Sequence, residues 1–371
     1  MKKVIVLGAS GSIGKNTLDI IRSFPERFSL AAFSVNTNIS FAESLSKEFP
    51  HARSFIAAQQ PLKKDFFRFI CESKADIAVN GIAGAAGLRA SISCVEAGLD
   101  LALANKESIV MAGDLLQQLA NKQGVHMIPV DSEHSAIFAL INAFGSDSIE
   151  KIIITASGGP FRCSSLAELE QVSAEQALAH PTWNMGGKIS IDSASLANKA
   201  LEVIEAVKLF RIPPERIIVA VHPESIVHSM VQLKSGEVYA QCSPPDMRFP
   251  ILQALEFPKL ALPYISPLDF SRAFSLRFEP PRFDDFPLLK LGFKAAQRGG
   301  AYPIAFNAAN EVAVAKFLCG SIKFLDIGKI VAGVFEADWH GSMQCFEEVF
   351  AADDKARRLA EHAVERLYPK C

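Results

Sequence analysis

Short apolar runs separated by polar or glycine-bearing turns occupy the first third of the chain. Each run is uninterrupted and only a few residues long, which predicts a buried strand, and helical patterns lie between the runs. Alternation of buried strands with helices is the order expected of a parallel α/β sheet. The predicted strands are residues 3–7, 30–35, 76–79, 99–104 and 126–129.

The middle of the chain continues with a strand and a long helix. Residues 151–155 are apolar and predict another strand, which ends in a turn before a helix that starts near Ser165. A further helix is predicted to open at Ser193 and to end at Phe210, with one apolar stripe facing the core. The stripe consists of Ala200, Val203, Val207 and Phe210.

Prolines interrupt the chain after residue 256 and indicate an extended linker. Within this linker, residues 270–278 alternate partly between apolar and polar side chains and predict one extended strand. Apolar residues then recur at helical spacing to the end of the chain, with a breaker between successive stretches. The helices predicted there are 288–299, 303–319, 322–339 and 345–368.

Together these patterns predict an α/β protein with several parts. Its 371 residues exceed the length of one average domain. We expect an N-terminal Rossmann-like dinucleotide-binding domain at 1–128 and an α+β catalytic domain at 129–256, with a flexible flap near 180–188. An extended linker at 257–286 and a C-terminal helical bundle at 287–371 complete the prediction.

Composition narrows the class of protein. A formal net charge of −2 lacks the basic excess of most nucleic-acid-binding proteins. The seven cysteines, of which Cys371 is the last, are scattered and form no CxxC pair, which favours free thiols over a disulfide framework or a zinc site. The apolar run at 4–7 is too short for a signal peptide, and no stretch approaches the length of a membrane span. We therefore expect a cytoplasmic protein that binds neither nucleic acid nor membrane.

The turn after the first strand reads GASGSIG at residues 8–14. Strand, glycine turn and helix in this order are typical of a dinucleotide-binding motif, in which the helix N-terminus receives the pyrophosphate. An ordinary strand-to-helix turn is the alternative. The tip of the second strand, residues 36–38, has no acidic residue for a ribose 2′-hydroxyl, which favours NADP over NAD. It has no Arg or Lys either.

Asp131 and Glu133 directly follow the strand predicted at 126–129. Carboxylates at i and i+2 of an extended chain point to the same side, so we expect both at the carboxyl end of the sheet, where ligands bind. Two such charges repel each other unless a cation lies between them, and Mg²⁺ prefers carboxylate oxygens. A solvated acidic turn is the alternative.

Three further side chains are candidates for a site. Lys106 follows a strand and is expected to meet Asp131 or a substrate, although a surface lysine that caps the next helix fits equally well. Ser157 precedes two glycines, so it is placed to present its hydroxyl to an anion, and a plain turn is the alternative. Trp183 lies in a polar loop, which suits a lid over a ligand. Its alternative is packing on a neighbouring domain.

Polar residues also mark the helix predicted to open at Ser193. Ser193, Asn198 and Lys199 are placed to grip a phosphate, and Glu202, one turn further on, is placed to reach a metal. Glu205 is expected to face solvent or to pair with Lys208. An amphipathic helix with a salt-bridged face is the alternative for the whole group.

Nine segments of the chain, taken in order, carry a resemblance to a known family. They are GASGSIG at 8–14, NGIAGAAGL at 80–88, NKES at 105–108, PVDSEHSAIF at 129–138, TASGGPF at 155–161, HPTWNMGGKISIDSASLANKALEVIEA at 180–206, HPESIVHSMV at 222–231, PPDMRFPI at 244–251 and NAANEVAVAKFL at 307–318. Together they resemble 1-deoxy-D-xylulose 5-phosphate reductoisomerase, and the resemblance spans essentially the whole chain.

The resemblance implies an activity that neither composition nor spacing establishes. Members of the family catalyse the NADPH-dependent rearrangement and reduction of a phosphorylated ketose, 1-deoxy-D-xylulose 5-phosphate, to 2-C-methyl-D-erythritol 4-phosphate in non-mevalonate isoprenoid synthesis. A retro-aldol and aldol step precedes hydride transfer. The family uses Mg²⁺, Mn²⁺ or Co²⁺, forms homodimers and is inhibited by fosmidomycin.

The resemblance also implies roles for individual residues. The metal ligands would be Asp131, Glu133 and Glu202, which together with Lys106 would form the catalytic group. The substrate contacts would be Lys106, Ser132, Glu133, Ser157, His180, Trp183, Ser193, Asn198, Lys199 and Glu202. The NADPH contacts would be Ser10, Gly11, Ser12, Ile13, Asn38, Asn105, Glu107 and Gly186.

The chain departs from the family pattern at two places. Residues 36–38 read Asn-Thr-Asn, where the family commonly has Gly-Lys-Asn or Gly-Ser-Asn, which leaves the contacts to the 2′-phosphate open. The flap contains Thr182 and Asn184, and Gly187 stands where some members have arginine. Two rival classes fit the sequence less well. A dehydrogenase of the aspartate-semialdehyde type needs a catalytic cysteine near a histidine, and no cysteine here lies in a suitable motif. A NADP-sensing regulatory protein without chemistry would have no need of three convergent carboxylates beside a phosphate-binding cluster.

Overall fold

A computed structural model describes residues 1–59, 65–183, 185–260 and 263–369 of the chain. Asn184 of the predicted flap and Cys371 at the end of the predicted bundle therefore lie outside the described residues. The strands are β1 (Lys2–Leu7), β2 (Phe28–Val35), β3 (Arg53–Ile56), β4 (Ile77–Asn80), β5 (Asp100–Leu103), β6 (Met127–Pro129), β7 (Ile149–Ala156), β8 (Ile217–Val221), β9 (Val227–Leu233) and β10 (Val238–Cys242).

The helices include two short ones of four and five residues. They are α1 (Ser12–Ser23), α2 (Ile39–Glu48), α3 (Asp65–Ser73), α4 (Ala86–Glu96), α5 (Lys106–Gln123), α6 (Ser132–Phe144), α7 (Leu166–Leu169), α8 (Ala174–Leu178), α9 (Gly187–Ala194), α10 (Ala197–Phe210), α11 (Arg248–Glu256), α12 (Pro287–Arg298), α13 (Tyr302–Leu318), α14 (Phe324–Phe335) and α15 (Phe346–Leu367).

The first of two compact units contains a parallel sheet. It comprises residues 1–108, 114–135 and 246–267. Its strands run in the order β3-β2-β1-β4-β5-β6, and every neighbouring pair is parallel. This order is that of dinucleotide-binding folds, in which the strand order reverses between β1 and β4. The strands form because their apolar runs are buried; four successive residues of β1, Val4 to Leu7, have no exposed surface. The predicted Rossmann-like part is confirmed.

The second unit contains a mixed sheet and the C-terminal helices. It comprises residues 109–113, 136–245 and 268–371. The sheet order is β10-β9-β7-β8, in which β7 and β8 are parallel and β9 runs antiparallel to both β7 and β10. The helices α13, α14 and α15 pack on one another, and α12 packs on α10. The α/β class, with C-terminal helices after a second sheet, is confirmed.

Three details of the sequence-based prediction were wrong. The strand predicted at 270–278 is turns and irregular chain, and the pairing nearest to it joins Val221 to Glu279. The helix predicted from Ser193 is two helices, α9 and α10, because Leu196 between them has a φ of +59° and interrupts the helical hydrogen bonds. The helix predicted at 322–339 ends at Phe335.

A close contact between α10 and α12 has no room for a larger residue. A Cβ atom built on Gly292 of α12 would lie 2.4 Å from the Cβ of Ala200 in α10. Real Cβ atoms do not approach so closely, so glycine is required for the two helices to pack at this distance. Helix α10 also carries Asn198, Lys199 and Glu202, so this contact fixes the support of three candidate site residues.

The helices in the described ranges include none that is both long enough and apolar enough to cross a lipid bilayer.

We expect Gly292→Ala to lower the free energy of unfolding, since overpacking costs about 1–3 kcal/mol and exceeds the roughly 1 kcal/mol gained in helix propensity. Gly333→Ala in α14 is the matched control, because open space surrounds that position, and it should be neutral or stabilising. Urea denaturation followed by circular dichroism measures both. Equal midpoints for the two variants would contradict the packing argument.

Candidate functional site

The glycine turn of the first unit has the geometry of an anion-binding loop. Gly8 ends β1 with a φ of +81°, and a Cβ built on it would lie 3.0 Å from the carbonyl oxygen of Gly81. At Gly14 a Cβ would lie 2.5 Å from the Cα of Ala9, so only glycine lets α1 approach the turn this closely. Gly11 is the N-cap of α1.

The first turn of α1 leaves its backbone N–H groups to a ligand. Gly11 offers no side-chain cap, and the first turn contains no acidic residue. Such a helix end carries unpaired donors and a partial positive charge, which is the environment that a pyrophosphate requires. The loop residues Ser10 and Ile13 are half-buried, whereas Gly11 and Ser12 are exposed, so a ligand has access to the turn.

Three other residues predicted to contact NADPH have local structural partners in the first unit. Asn38 is exposed, and its side chain caps α2 by accepting from the Phe41 N–H. Asn105 caps α5 and is buried; its amide nitrogen donates to the Gly84 carbonyl at 2.9 Å and to Glu107 Oε2 at 2.7 Å. These bonds hold the start of α5 against the turn at Gly84. The NADPH contacts of the three stay a prediction.

Lys106 and Asp131 form a nearly dry ion pair in the first unit. The Lys106 Nζ atom donates to Asp131 Oδ2 at 2.8 Å, and the two side chains are 6% and 16% exposed. The ring of His134, which is fully buried, lies with Nδ1 3.6 Å from the same oxygen. Two alternatives were considered for Lys106: an interaction with Asp131, and a surface lysine that caps the next helix. The structure favours the first.

The environment of Asp131 keeps its carboxylate charged. Burial by itself would raise the pKa, but the charge of Lys106 and the nearby His134 ring outweigh it, and the Asp131 pKa is lowered. An ionised carboxylate at neutral pH is what a divalent cation needs as a ligand, because the cation must otherwise compete with a proton.

Glu133 does not lie on an extended chain, as its spacing from Asp131 predicted. The strand β6 ends at Pro129, and Ser132 and Glu133 open α6. The Ser132 hydroxyl donates to Glu133 Oε2 at 2.5 Å. The two carboxylates nevertheless lie together, with one oxygen of each within 4.8 Å of the other. The expected convergence is therefore confirmed, although its premise, a strand that continues past Pro129, was wrong. Acidic residues are favourable in the first turn of a helix, where the dipole is positive.

The second unit buries a carboxylate completely. Glu202 of α10 has no exposed surface; its Oε1 accepts from Asn198 Nδ2 at 2.6 Å and its Oε2 accepts from Lys199 Nζ at 2.6 Å. Lys199 is 3% exposed. The salt-bridged face considered as the alternative for this helix is present in the pair of Lys199 and Glu202, but that pair is buried. Of the two positions expected for Glu205, the solvent-facing one was wrong, because Glu205 is 1% exposed.

The hydrogen bonds around Ser157 orient its hydroxyl to donate, as the binding of an anion requires. His180 Nδ1 accepts the backbone N–H groups of Thr182 and Trp183 at 3.2 and 2.9 Å, so the proton of the neutral ring is assigned to Nε2. Nε2 lies 3.0 Å from Ser157 Oγ and donates to it. The Gly159 N–H donates to the same oxygen at 3.3 Å. The Ser157 O–H is left to donate in turn.

The remaining predicted residues of the second unit lie on or near α9. Gly186 is its N-cap, with no side-chain cap, and Ser193 is in its last turn. The Ser193 carbonyl oxygen packs on Gly159, where a Cβ would lie only 2.7 Å away. Trp183 is half-buried, with its ring centroid 6.2 Å from that of His228.

Burial lowers the pKa of His180, which favours the neutral ring that is assigned to its hydrogen bonds with Ser157, Thr182 and Trp183.

Sequence reasoning missed three buried polar residues near these groups. His134 contacts Asp131, and Asp192 and Asn310 contact each other, although they are 118 positions apart. A charged residue or a histidine inside an otherwise apolar helical pattern is the available signal, since such residues are rarely buried without a partner. For Asp192 and Asn310 the sequence contains no indication of which residue the partner is.

Comparison with known proteins finds matches to one enzyme family along nearly the whole chain. A model of 1-deoxy-D-xylulose 5-phosphate reductoisomerase matches residues 4–65 and 60–113, a model of the C-terminal domain of that enzyme matches 127–210, and a DXP reductoisomerase C-terminal domain model matches 242–359. The proteins of that name from Treponema denticola and Treponema pallidum are 58% and 50% identical to this chain. The first alignment covers 97% of this chain and 96% of the relative, and the second covers 99% of both.

Solved structures agree with these relatives. A crystal structure described as DOX-P reductoisomerase in complex with NADPH, fosmidomycin and magnesium is 34% identical, with a TM-score of 0.90 over the full length of both chains. The enzyme from Zymomonas mobilis in complex with NADPH is 41% identical, with a TM-score of 0.87 over 98% of this chain and 99% of that one. This chain belongs to the 1-deoxy-D-xylulose 5-phosphate reductoisomerase family.

Proposed function

We propose that this protein catalyses the NADPH-dependent rearrangement and reduction of 1-deoxy-D-xylulose 5-phosphate to 2-C-methyl-D-erythritol 4-phosphate, a step of isoprenoid precursor synthesis. The observation that carries this proposal is 58% identity to a reductoisomerase over nearly the whole of both chains. Neither the aspartate-semialdehyde type of dehydrogenase nor a regulatory protein without chemistry accounts for that match. When bound, NADPH supplies hydride and a divalent cation supplies a Lewis acid for the α-hydroxyketone.

The residues of the first unit fit NADPH. The close approach at Gly8 and Gly14 and the uncapped N-terminus of α1 form a cradle that a side chain would fill. Ser10, Gly11, Ser12 and Ile13 would bind the pyrophosphate through this cradle. The tip at 36–38 has no carboxylate to repel a 2′-phosphate. Gly186, which is exposed, would add a backbone contact from the second unit.

The carboxylates of the two units fit a hard divalent cation such as Mg²⁺, Mn²⁺ or Co²⁺. Asp131 and Glu133 from the first unit and Glu202 from the second would be its ligands. All three supply oxygen, the donor that such cations prefer. Asp131 is held charged by Lys106, and Glu202 is held by Lys199 and Asn198 in a site without solvent. A crystal structure of a relative contains magnesium together with NADPH.

Lys106 has two tasks in the proposed reaction. Its ammonium group orients Asp131 through the 2.8 Å bond and keeps that carboxylate ionised. It also places a positive charge beside the substrate oxygen on which negative charge develops as the carbon–carbon bond breaks. Low local exposure strengthens this attraction, because little water screens it.

The substrate phosphate would bind to side chains that carry O–H or N–H groups. The Ser157 hydroxyl is polarised to donate, and His180 fixes that polarity. Asn198 and Lys199 both donate to Glu202 on α10, and each of these side chains carries more than one N–H group. Ser193, beside Gly159, and Ser132 of the first unit would complete the substrate contacts. Binding a phosphate remote from the reacting carbons anchors the substrate at low cost to the chemistry.

Trp183 would act as part of a flap that closes over the substrate. The two bonds from Thr182 and Trp183 N–H to His180 tie the root of this loop to the residue that orients Ser157. Movement of the loop and binding of the phosphate therefore involve the same ring. Closure of an aromatic side chain over the site excludes water from the reaction.

The finer predictions on assembly and organisation belong to the same proposal. We infer a homodimer in the cytoplasm, with the four-part division 1–128, 129–256, 257–286 and 287–371 as its domains. Exposed apolar side chains in the second unit support association, because homodimer interfaces bury apolar surface; they are Val238, Tyr239, Phe270, Phe274 and Phe278. Sedimentation equilibrium at twice the chain mass of 40.3 kDa is the expected result, and a monomer would refute it.

The function is tested by following NADPH oxidation with 1-deoxy-D-xylulose 5-phosphate as substrate. Turnover is expected with Mg²⁺ or Mn²⁺, and EDTA should abolish it until metal is restored. An aspartate-semialdehyde-type enzyme would be inactive with this ketose and indifferent to EDTA. A regulatory protein would bind NADPH without consuming it. Absence of turnover with metal present would contradict the proposal.

We expect Glu202→Gln to reduce turnover by at least about a hundredfold, since removal of a ligand charge weakens both metal binding and transition-state stabilisation. The dissociation constant of NADPH should stay unchanged, which shows that the chain is folded. Glu224→Gln is the matched control, because Glu224 pairs with Arg277 outside the proposed site. Near-normal turnover of Glu202→Gln at saturating Mg²⁺ would refute the ligand assignment.

We expect Trp183→Ala to raise the KM for the ketose phosphate about tenfold and to change NADPH affinity much less, because the flap covers the substrate. Trp339→Phe is the control: Trp339 is buried, and its Nε1 donates to the Val334 carbonyl. That variant should lose stability and keep its KM. Unchanged substrate affinity in Trp183→Ala would count against the lid.

A further inference from the structure

The carboxylate of Asp192 is buried between two partners from different parts of the second unit. Asp192 is 1% exposed. Its Oδ2 accepts from Lys188 Nζ at 2.9 Å, one turn earlier on α9. Its Oδ1 accepts from Asn310 Nδ2 at 2.7 Å, and Asn310 lies on α13 with no exposed surface. A hydrogen bond to a buried charge is worth more than one between neutral groups, so this contact joins α13 firmly to α9.

Helix α9 is the support of two proposed contacts. It has eight residues, begins after Gly186 and carries Ser193 in its last turn. Asp192 immediately precedes Ser193, and the Ser193 carbonyl packs on the backbone of Gly159. An eight-residue helix has little stability of its own, so tertiary contacts decide its position. The Asn310 bond acts on the residue next to the proposed phosphate contact.

The chemistry at position 310 suggests a requirement beyond packing. Within the described part of the chain, Asn310 Oδ1 is buried and has no hydrogen-bond partner. Burial of an amide with one end unpaired costs free energy that an apolar residue of similar size would not cost. One turn before and after Asn310 on α13 lie Phe306, Ala313 and Val314, which are almost fully buried apolar residues. The Asn310 amide therefore lowers the stability of the fold in one respect, and the bond to Asp192 is the interaction that offsets this loss.

We propose that Asn310 is a positioning residue that acts through Asp192 to hold Ser193 in place for the phosphate of the substrate. This inference rests on the proposed function, in which Ser193 contacts that phosphate. It gives the C-terminal helices a specific part in substrate binding: α13 sets the position of α9. Asn310 touches neither substrate nor cofactor in this scheme.

The test compares three variants of the full-length enzyme with NADPH and Mg²⁺ at saturation. Asn310→Leu removes the bond and keeps side-chain volume. Asn307→Leu is the matched control, because Asn307 is equally buried on the same helix, but its amide bonds to Glu311 within α13. Asp192→Asn is the conservative variant, since the amide oxygen of the new side chain still accepts from Asn310.

For Asn310→Leu we expect the KM for 1-deoxy-D-xylulose 5-phosphate and the inhibition constant of inorganic phosphate both to rise about tenfold, which corresponds to about 1.4 kcal/mol. The kcat and the KM for NADPH should stay within about threefold, because a remote anchor contributes uniform binding. Asn307→Leu and Asp192→Asn should keep both phosphate-dependent constants within about threefold. A loss of thermal stability alone, common to both leucine variants, is the result of a purely structural role.

The proposal is overturned if Asn310→Leu keeps the wild-type KM, if Asn307→Leu raises it equally, or if Asp192→Asn behaves like Asn310→Leu. The last result would assign the position of α9 to Lys188 instead. Should Asn310→Leu fail to fold, Asn310→Ala, which avoids added bulk beyond the β-carbon, is measured against the same limits. Inactive wild-type protein would refute the proposed function and not this inference, because only an active enzyme yields the comparison.

Discussion

A carboxylate that is removed from water must be compensated by positive charge or by hydrogen-bond donors, and this requirement organises both units. Asp131 has Lys106, Glu202 has Lys199, and Asp192 has Lys188. Each lysine is itself mostly buried, so each pair costs desolvation that only good geometry repays. Such pairs add little net stability. Their effect is to allow one arrangement of the helices that carry them, because a shifted helix would leave a charge unpaired.

The pairs differ in the distance along the chain that they join, and that difference matters for function. Glu202 and Lys199 are one helical turn apart and stiffen α10 itself. Lys106 and Asp131 connect the ends of two strand-to-helix crossings of the parallel sheet. The bond from Asn310 to Asp192 joins the C-terminal helices to α9. Contacts at short, intermediate and long sequence separation thus all pair a buried carboxylate with a hydrogen-bond donor. A ligand bound by one of these groups is held as rigidly as the helix that carries the group.

The parallel sheet could be predicted from the sequence because its signal is local. Five of its six strands contain a short apolar run, and a glycine turn with a helix behind it marks the first crossing. The edge strand β3 was missed, because its sequence Arg-Ser-Phe-Ile is half polar. The strands β8, β9 and β10 were not predicted. For β10 the reason is that the strand is largely exposed and carries no clear alternation. Leu196 at a φ of +59° could not be predicted either, because leucine rarely adopts this conformation and only the surrounding packing imposes it.

The candidate residues were identified mainly from long motifs that resemble one family, and periodicity misjudged their surroundings. Helical spacing placed Asn198 and Glu202 on one polar face of a helix, but it did not indicate that Glu202 is fully buried. A pattern of polar residues does not distinguish a wet surface from a dry polar site, because both require the same side chains. Asp192 and Asn310 show the further limit that a partner distant in sequence is invisible without the fold.

The contact between Gly292 and Ala200 restricts how sequences of this kind can diverge. Even with glycine at position 200, a methyl group at 292 would lie 2.7 Å from the Cα atom there, so no single replacement of the facing residue creates space. A lineage that lost Gly292 would have to separate α10 from α12 along their length. That movement would displace Glu202, which lies on α10. Substitution at position 292 is therefore restricted by the proposed role of Glu202, although Gly292 itself takes no part in the reaction.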